Sequence, residues 1–211
     1  LGATYEFLPG HRLGVVYRHT SNFTFEGDAT INGQLLSDEE RQTPHMTLGW
    51  NMPDRLIVSG SHQAGDKLRL YWDFERTFFN TFKQTNLRMD GYPTVRIDRN
   101  FKDANRYAFG TEYSPNYKWT LQFGVSYDES PVDDEDRMPD IPVDEIVKTM
   151  FGAIYQPTDK FHVHGYTAVE FFGDNKIEQL ASIHGEKIGE SVRLESDATF
   201  YVLGVSFGYK F

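Results

Sequence analysis

Thr199-Phe200-Tyr201-Val202-Leu203-Gly204-Val205-Ser206-Phe207-Gly208-Tyr209-Lys210-Phe211 is the stretch that decides the fold. Counted in twos, Tyr201, Leu203, Val205, Phe207, Tyr209 and Phe211 share one face, and Phe200, Val202, Gly204, Ser206, Gly208 and Lys210 share the other. A period of two belongs to a β-strand, whose successive side chains point to opposite sides. The first face is apolar throughout and has aromatics at both ends, while the second is mostly small or polar. That division suits a strand with lipid on one side and a lumen on the other, and aromatic girdles at the membrane interfaces.

The same partition recurs upstream. Trp119, Leu121, Phe123, Val125 and Tyr127 alternate with Thr120, Gln122, Gly124, Ser126 and Asp128. Phe161, Val163, Val169 and Phe171 oppose His162, His164, Tyr166 and Glu170, and Leu13, Val15 and Tyr17 oppose Arg12, Gly14 and Arg18. Such runs exceed the roughly 5–6 residues of an average strand, which favours a barrel over a sandwich. Short turn sequences fall at Leu8-Pro9-Gly10-His11, Ala64-Gly65-Asp66-Lys67, Ser114-Pro115-Asn116-Tyr117 and Pro157-Thr158-Asp159-Lys160. Longer polar connections occupy 27–41, 83–99, 131–144 and 173–195, so short and long linkers take turns, as periplasmic turns and extracellular loops do in outer-membrane barrels.

The expected strands are 1–7, 12–26, 43–63, 67–82, 100–114, 118–130, 145–156, 160–172 and 195–211, about nine in all with the first cut short. Bacterial single-chain barrels have even strand numbers, so the expectation is a single domain over 1–211 that is the C-terminal part of a larger barrel. Pro53 removes a ladder donor inside the third expected strand. A kink there and a break into two strands at Met52 to Arg55 both fit.

Composition narrows the function classes. The chain has 211 residues, no cysteine, 15% aromatics and a formal net charge of −10. With 31 acidic against 21 basic side chains, scattered singly, there is no surplus to neutralise phosphates, and nucleic acid is excluded as a partner. The lack of cysteine removes disulfides and thiolate metal sites and suits passage through an oxidising periplasm. Mean hydropathy of −0.54 excludes membrane helices, which need about 18 apolar residues, but not barrel strands, whose alternation keeps the average low.

Several blocks carry a family resemblance. The most specific is Asn100-Phe101-Lys102-Asp103-Ala104-Asn105-Arg106-Tyr107-Ala108-Phe109-Gly110, followed by Tyr113, Trp119 and Gly124-Val125-Ser126-Tyr127-Asp128-Glu129-Ser130-Pro131-Val132, then Arg137, Pro139 and Ile141-Pro142. Weaker matches are Tyr5-Glu6-Phe7, Val16-Tyr17-Arg18, Phe23 to Gly27, and the run from Pro53 to Phe82. Over almost its whole length the chain resembles the second half of the FadL-type outer-membrane transporters of long-chain fatty acids and other hydrophobic compounds. The resemblance implies a transmembrane antiparallel up-and-down β-barrel of about 14 strands, multi-pass in the bacterial outer membrane. It further implies an N-terminal plug and a laterally opening kinked strand, both upstream of these residues. Departures occur at Phe79-Asn80, where the family has Trp-Ser, at Ile146, where it has Arg, and across 173–195. They fall near the external half of the pore and bear on substrate identity.

The resemblance also nominates site residues. Asp128 matches an Asp that the family places inside the barrel near its plug, and with Arg106 it becomes a candidate plug contact. A solvated lumen carboxylate is the plain alternative. A fatty acid needs an apolar groove and one or two cations. Phe78, Phe79 and Phe82 supply the first and Arg96, Arg99 and Lys102 the second, across the connection 83–98. Ile97 aligns with the family's basic ligand, so Arg96 or Arg99 would substitute for it. An ordinary loop with interfacial aromatics would show the same residues.

Other constellations carry less. His162 and His164 share a strand face, but no third metal ligand accompanies them, and pore lining is the plainer reading. Asp133-Asp134-Glu135-Asp136 would suit divalent ions at a lipopolysaccharide surface or a solvated acidic loop. No Gly-x-Ser-x-Gly elbow exists, and Ser126 and His164 face the lumen, which argues against an enzyme. The expected partners are therefore a hydrophobic small molecule, outer-membrane lipid and lipopolysaccharide, and the barrel-assembly machinery through the terminal strand, with no cofactor. Passive uptake by loop capture, lumen binding and lateral release is the expected function. A general water-filled porin or a structural barrel is the alternative.

Overall fold

The computed structural model describes residues 1–28, 45–183 and 186–210. The alternating segments form a nine-stranded antiparallel sheet. Its strands are β1 (Gly2–Leu8), β2 (His11–Arg18), β5 (Asp54–Ala64), β6 (Leu68–Phe78), β9 (Ala104–Asn116), β10 (Trp119–Asp128), β11 (Ile146–Thr158), β12 (Phe161–Phe172) and β15 (Ala198–Tyr209). They pair in chain order, with β1 and β15 as edges. This is the up-and-down meander expected of an outer-membrane barrel wall. Phe211, the last residue of the terminal alternation, lies outside the described residues, as does most of the connection 27–41.

The register puts the expected faces where the alternation placed them. Val125 stands opposite Phe109 and Thr149, while Ser126 stands opposite Ala108 and Lys148. Outward residues such as Tyr201, Leu203, Phe207 and Phe151 are exposed, as a lipid-facing wall requires. On the inward face, Tyr166 lies over Gly204 on β15, where an added Cβ would come within 2.3 Å of the ring. Three of the short turns are entered through register shifts, between Glu6 and Leu8, before Thr158, and between Trp119 and Leu121 on the partner of Ser114 and Pro115. Prolines 115 and 157 are thus placed at irregularities near strand ends, where a missing N–H costs least.

The long connections are themselves folded. β3 (Ser21–Asp28), β4 (His45–Met52), β7 (Gln84–Met89) and β8 (Val95–Asp98) form a four-stranded rim sheet, and β13 (Ile177–Ile183) pairs with β14 (Glu186–Leu194). The expected strands 12–26 and 43–63 are each two strands. The break in the second falls at Pro53, the more radical of the two readings. Its cause is local: Asp54 accepts hydrogen bonds from the Thr20 backbone N–H at 2.5 Å, from the Thr20 hydroxyl and from the Tyr17 hydroxyl. This clamp turns both chains out of the wall at one height. Likewise the strand expected to reach residue 82 ends at Phe78 in a single 3-10 turn, Phe79–Thr81.

Candidate functional site

The lumen face is built from the even positions of β2, β9, β10, β11 and β12 and the odd positions of β5 and β6. Just below the long connections it carries an alternating belt of charge. Arg55 and Glu75 pair at 3.4 Å, Arg106 and Asp128 at 3.6 Å, and Lys148 and Glu170 at 3.5 Å. Six neighbouring strands thus present charges of alternating sign. The match is incomplete at its centre: Arg106 Nε and Asp128 Oδ2 are buried and make no hydrogen bond among the described residues. A cavity of about 650 Å³ lies on this face, floored by small residues including Ser59, Ala108, Gly110 and Gly124.

Above the belt, the long connections form a cap with its own core. Phe82, Phe101 and Val132 are buried and packed against Trp50, Phe79, Ile141 and Val143. The rings meet at centroid distances of 4.8 Å for Trp50 and Phe82, 5.3 Å for Phe82 and Phe101, and 5.7 Å for Phe79 and Phe101. Two buried arginines tie the cap. Arg99, 3% exposed, donates to both oxygens of Asp140 at 2.6 Å and through Nε to the Thr85 hydroxyl at 3.2 Å. The bidentate contact holds the Asp140 carboxyl below the usual carboxylate range. Arg137, 1% exposed, donates to Asp134 at 2.7 Å, to Asp144 at 2.9 Å, and to the carbonyls of Val143 at 2.8 Å and Lys176. One guanidinium therefore joins 129–145 to the root of β13.

The structure brings only part of the nominated set together. Phe79 and Phe82 share the cap core, Arg99 is buried in the same cap on Thr85 and Asp140, and Phe78 lies beneath the Arg76 guanidinium, 5.8 Å from its ring centroid. Lys102 is exposed and its ammonium is paired with Asp133. Arg96 is on β8 opposite Asn86, on the face of the rim sheet turned away from Trp50. The three cations therefore do not converge on the phenylalanines. Asp128 and Arg106 do face the lumen together.

The acidic run is largely committed, with Asp134 to Arg137 and Asp136 accepting from Asn100 at 2.8 Å. Among the described residues, no group of three or more histidines and acids is arranged to hold a metal. Ser126 is level with Lys148 and His164 with Ile154, six residues apart along β11 and so roughly 20 Å. They do not form a catalytic pair. Arg137 is the residue whose role sequence reading missed. It belongs to a quoted block, but its partners are scattered from Ser130 to Lys176 and leave no periodic trace.

The comparisons agree with this architecture. A Pseudomonas aeruginosa FadL homologue superimposes with a TM-score of 0.80 at 21% identity, over 99% of this chain and 51% of that one. The Pseudomonas putida toluene transporter TodX gives 0.63 at 17% identity, over 100% and 48%. These likenesses establish the fold as that of an outer-membrane β-barrel. The long-chain fatty acid transport protein of Escherichia coli O6:H1 is 27% identical across 100% of this chain and 48% of its own length. Outer membrane protein P1 of Haemophilus influenzae is 22% identical over 100% and 46%. The chain spans about half the length of the curated relatives it matches. These relatives are named as transport or outer-membrane proteins, not as enzymes. Since the profile of the outer membrane protein transport proteins (OMPP1/FadL/TodX) matches residues 1–211 throughout, this chain belongs to that family.

Proposed function

We propose that the protein of which this chain is part takes up hydrophobic compounds such as long-chain fatty acids passively across the outer membrane. Ligand is captured by the external cap, held in the lumen and released laterally into the bilayer. The observation that carries this reading is a cap with an apolar core and a buried, carboxylate-bound arginine above a lumen cavity. Membership of the transport family and relatives named for long-chain fatty acid transport support it.

In this reading Phe78, Phe79 and Phe82 contact the tail. Asp140 occupies Arg99 as a ligand carboxylate would, with two parallel hydrogen bonds, and its half-exposed side chain is free to leave. Exchange of Asp140 for ligand would seat the head group on Arg99. Lys102 and Arg96 would act at the approach to it rather than in the bound state. Asp128 Oδ2, with Arg106, would receive a donor from a plug. The terminal strand would be the contact for barrel assembly.

A water-filled porin is the second reading, and the charged belt is the observation that favours it. Uptake of labelled oleate by cells lacking their own transporter, with single-channel recording on the same protein, separates the two. Saturable uptake with small conductance is expected, tightened by Asp140→Asn and weakened by Arg99→Ala. Large steady conductance without saturable uptake would establish the porin.

A further inference from the structure

On the lumen face of β11, Gly152 leaves a gap between Met150 and Ile154. Two polar atoms lean over it from the flanking strands. A Cβ added at Gly152 would come within 2.8 Å of Gln122 Oε1 on β10 and 3.2 Å of His164 Nε2 on β12. In the ladder Gly152 stands opposite Gln122 and Tyr166, and His164 stands opposite Ile154, two residues nearer the short turn. Gln122 also lines the lumen cavity of about 650 Å³, which the gap therefore adjoins.

What surrounds these two atoms limits what they can bind. Gln122 donates through Nε2 to Glu112 Oε1 at 2.8 Å, and the other oxygen of Glu112 accepts from the Tyr71 hydroxyl at 2.5 Å. A carboxylate only accepts, so the amide nitrogen has to face it, and Oε1 is left over the gap as an acceptor. His164 Nε2 is buried and has no hydrogen-bond partner among the described residues. Its ring lies beside that of Tyr166, with centroids 5.4 Å apart. A buried nitrogen left unpaired is costly, and a donor for Gln122 together with an acceptor for His164 would satisfy both atoms at once.

A single hydroxyl oxygen supplies both, because it donates once and accepts twice. A carboxylate has no proton for Gln122 and would meet the charge of Glu112, whose ladder neighbour Arg69 donates through Nε to Gln63 instead. An ammonium would turn its remaining N–H towards Met150 and Ile154, which offer no acceptor. The same two side chains suit an apolar body on either side of the hydroxyl.

We propose that Gly152, Gln122 and His164 form a hydroxyl-selective notch in the lumen, so that hydrophobic ligands carrying an alcohol group, such as hydroxylated fatty acids, are held more tightly than unsubstituted ones. The proposal rests on the transport reading and sharpens its substrate class.

The test uses the full-length protein in detergent micelles and displaces labelled oleate with unlabelled oleate or with ricinoleate, which is oleate bearing one mid-chain hydroxyl. Ricinoleate is expected to compete about tenfold better, the equivalent of one or two net hydrogen bonds. Gly152→Ala, whose methyl fills the gap, and His164→Phe, which keeps a ring without its nitrogens, should each abolish that preference while oleate is bound as by the wild type. Both variants should keep the heat-modifiable gel mobility of a folded barrel. Equal competition by the two acids, as a notch filled only by water would give, or a preference that survives both substitutions, would overturn the proposal and leave the transport reading standing. Absence of saturable binding by either acid would overturn both.

Discussion

Along β9, β10 and β11 each strand is held by backbone ladders on both sides, and the side chains are left free to face lipid or lumen. In 129–145 the one β-bridge is Met138 with Ile141, and scattered backbone hydrogen bonds, such as Lys102 N–H to the Pro131 carbonyl and Glu178 N–H to that of Asp134, replace a ladder, so that much of the hold falls to the side chains of Arg137 and Arg99. The wall is fixed by hydrogen bonds that any sequence of the right alternation would make. The cap has only scattered backbone bonds and depends far more on particular residues, so a single substitution should loosen it.

The largest effect should come from Arg137→Ala, which leaves Asp134 and Asp144 without their cation. It is expected to cost the cap about 3–5 kcal/mol, as for breaking a buried ion pair. Hydrogen exchange should accelerate in 129–145 and at the base of β13 while β9 to β12 stay protected. Loss of protection in the wall as well would mean that the two regions are not separate. Phe82→Ala should cost about 3 kcal/mol by opening a cavity in the cap core, read by the same exchange pattern.

The wall is tested with a charge. Val125→Arg on the lipid side should destabilise the barrel by about 2–4 kcal/mol in denaturant titration in lipid vesicles, whereas Gln122→Arg on the lumen side should cost far less. Equal costs would contradict the assignment of faces.

Acid should loosen the cap before the wall. Asp140 has a lowered carboxyl pKa in the folded state, so its contribution is present above the ordinary value near 4 and is lost as pH falls through the folded value. Exchange in 99–101 and 138–141 should therefore rise as pH falls below about 4, and Asp140→Asn should remove that dependence. The smallest effect belongs to Lys102→Ala. Its ion pair with Asp133 is exposed and should contribute less than about 1 kcal/mol.

The same contrast explains what could be read from the sequence. Trp119 to Asp128 and Phe161 to Phe172 declare themselves because each side chain faces lipid or lumen in strict turn, and their observed bounds differ from the expected ones by a few residues at most. Val95 to Asp98 and Ile177 to Ile183 did not, because short rim strands have no bilayer to impose alternation. The break at Pro53 was one of two readings, and the clamp that decides it joins Asp54 to Thr20, a pairing no local pattern announces. The nominated cations could be found as residue types. Their partners Asp140 and Asp133, which determine what each cation is free to do, could not be.

The Asp54 clamp has one more consequence. β2 and β5 are direct neighbours in the wall, with Arg18 opposite Arg55, so β3 leaves the sheet and β4 returns to it at a single point. β12 and β15 are joined in the same way around β13 and β14. Each excursion is a cassette between two posts already in register. Its length and content can drift, be excised or be grafted from another protein without changing the number, tilt or spacing of the staves.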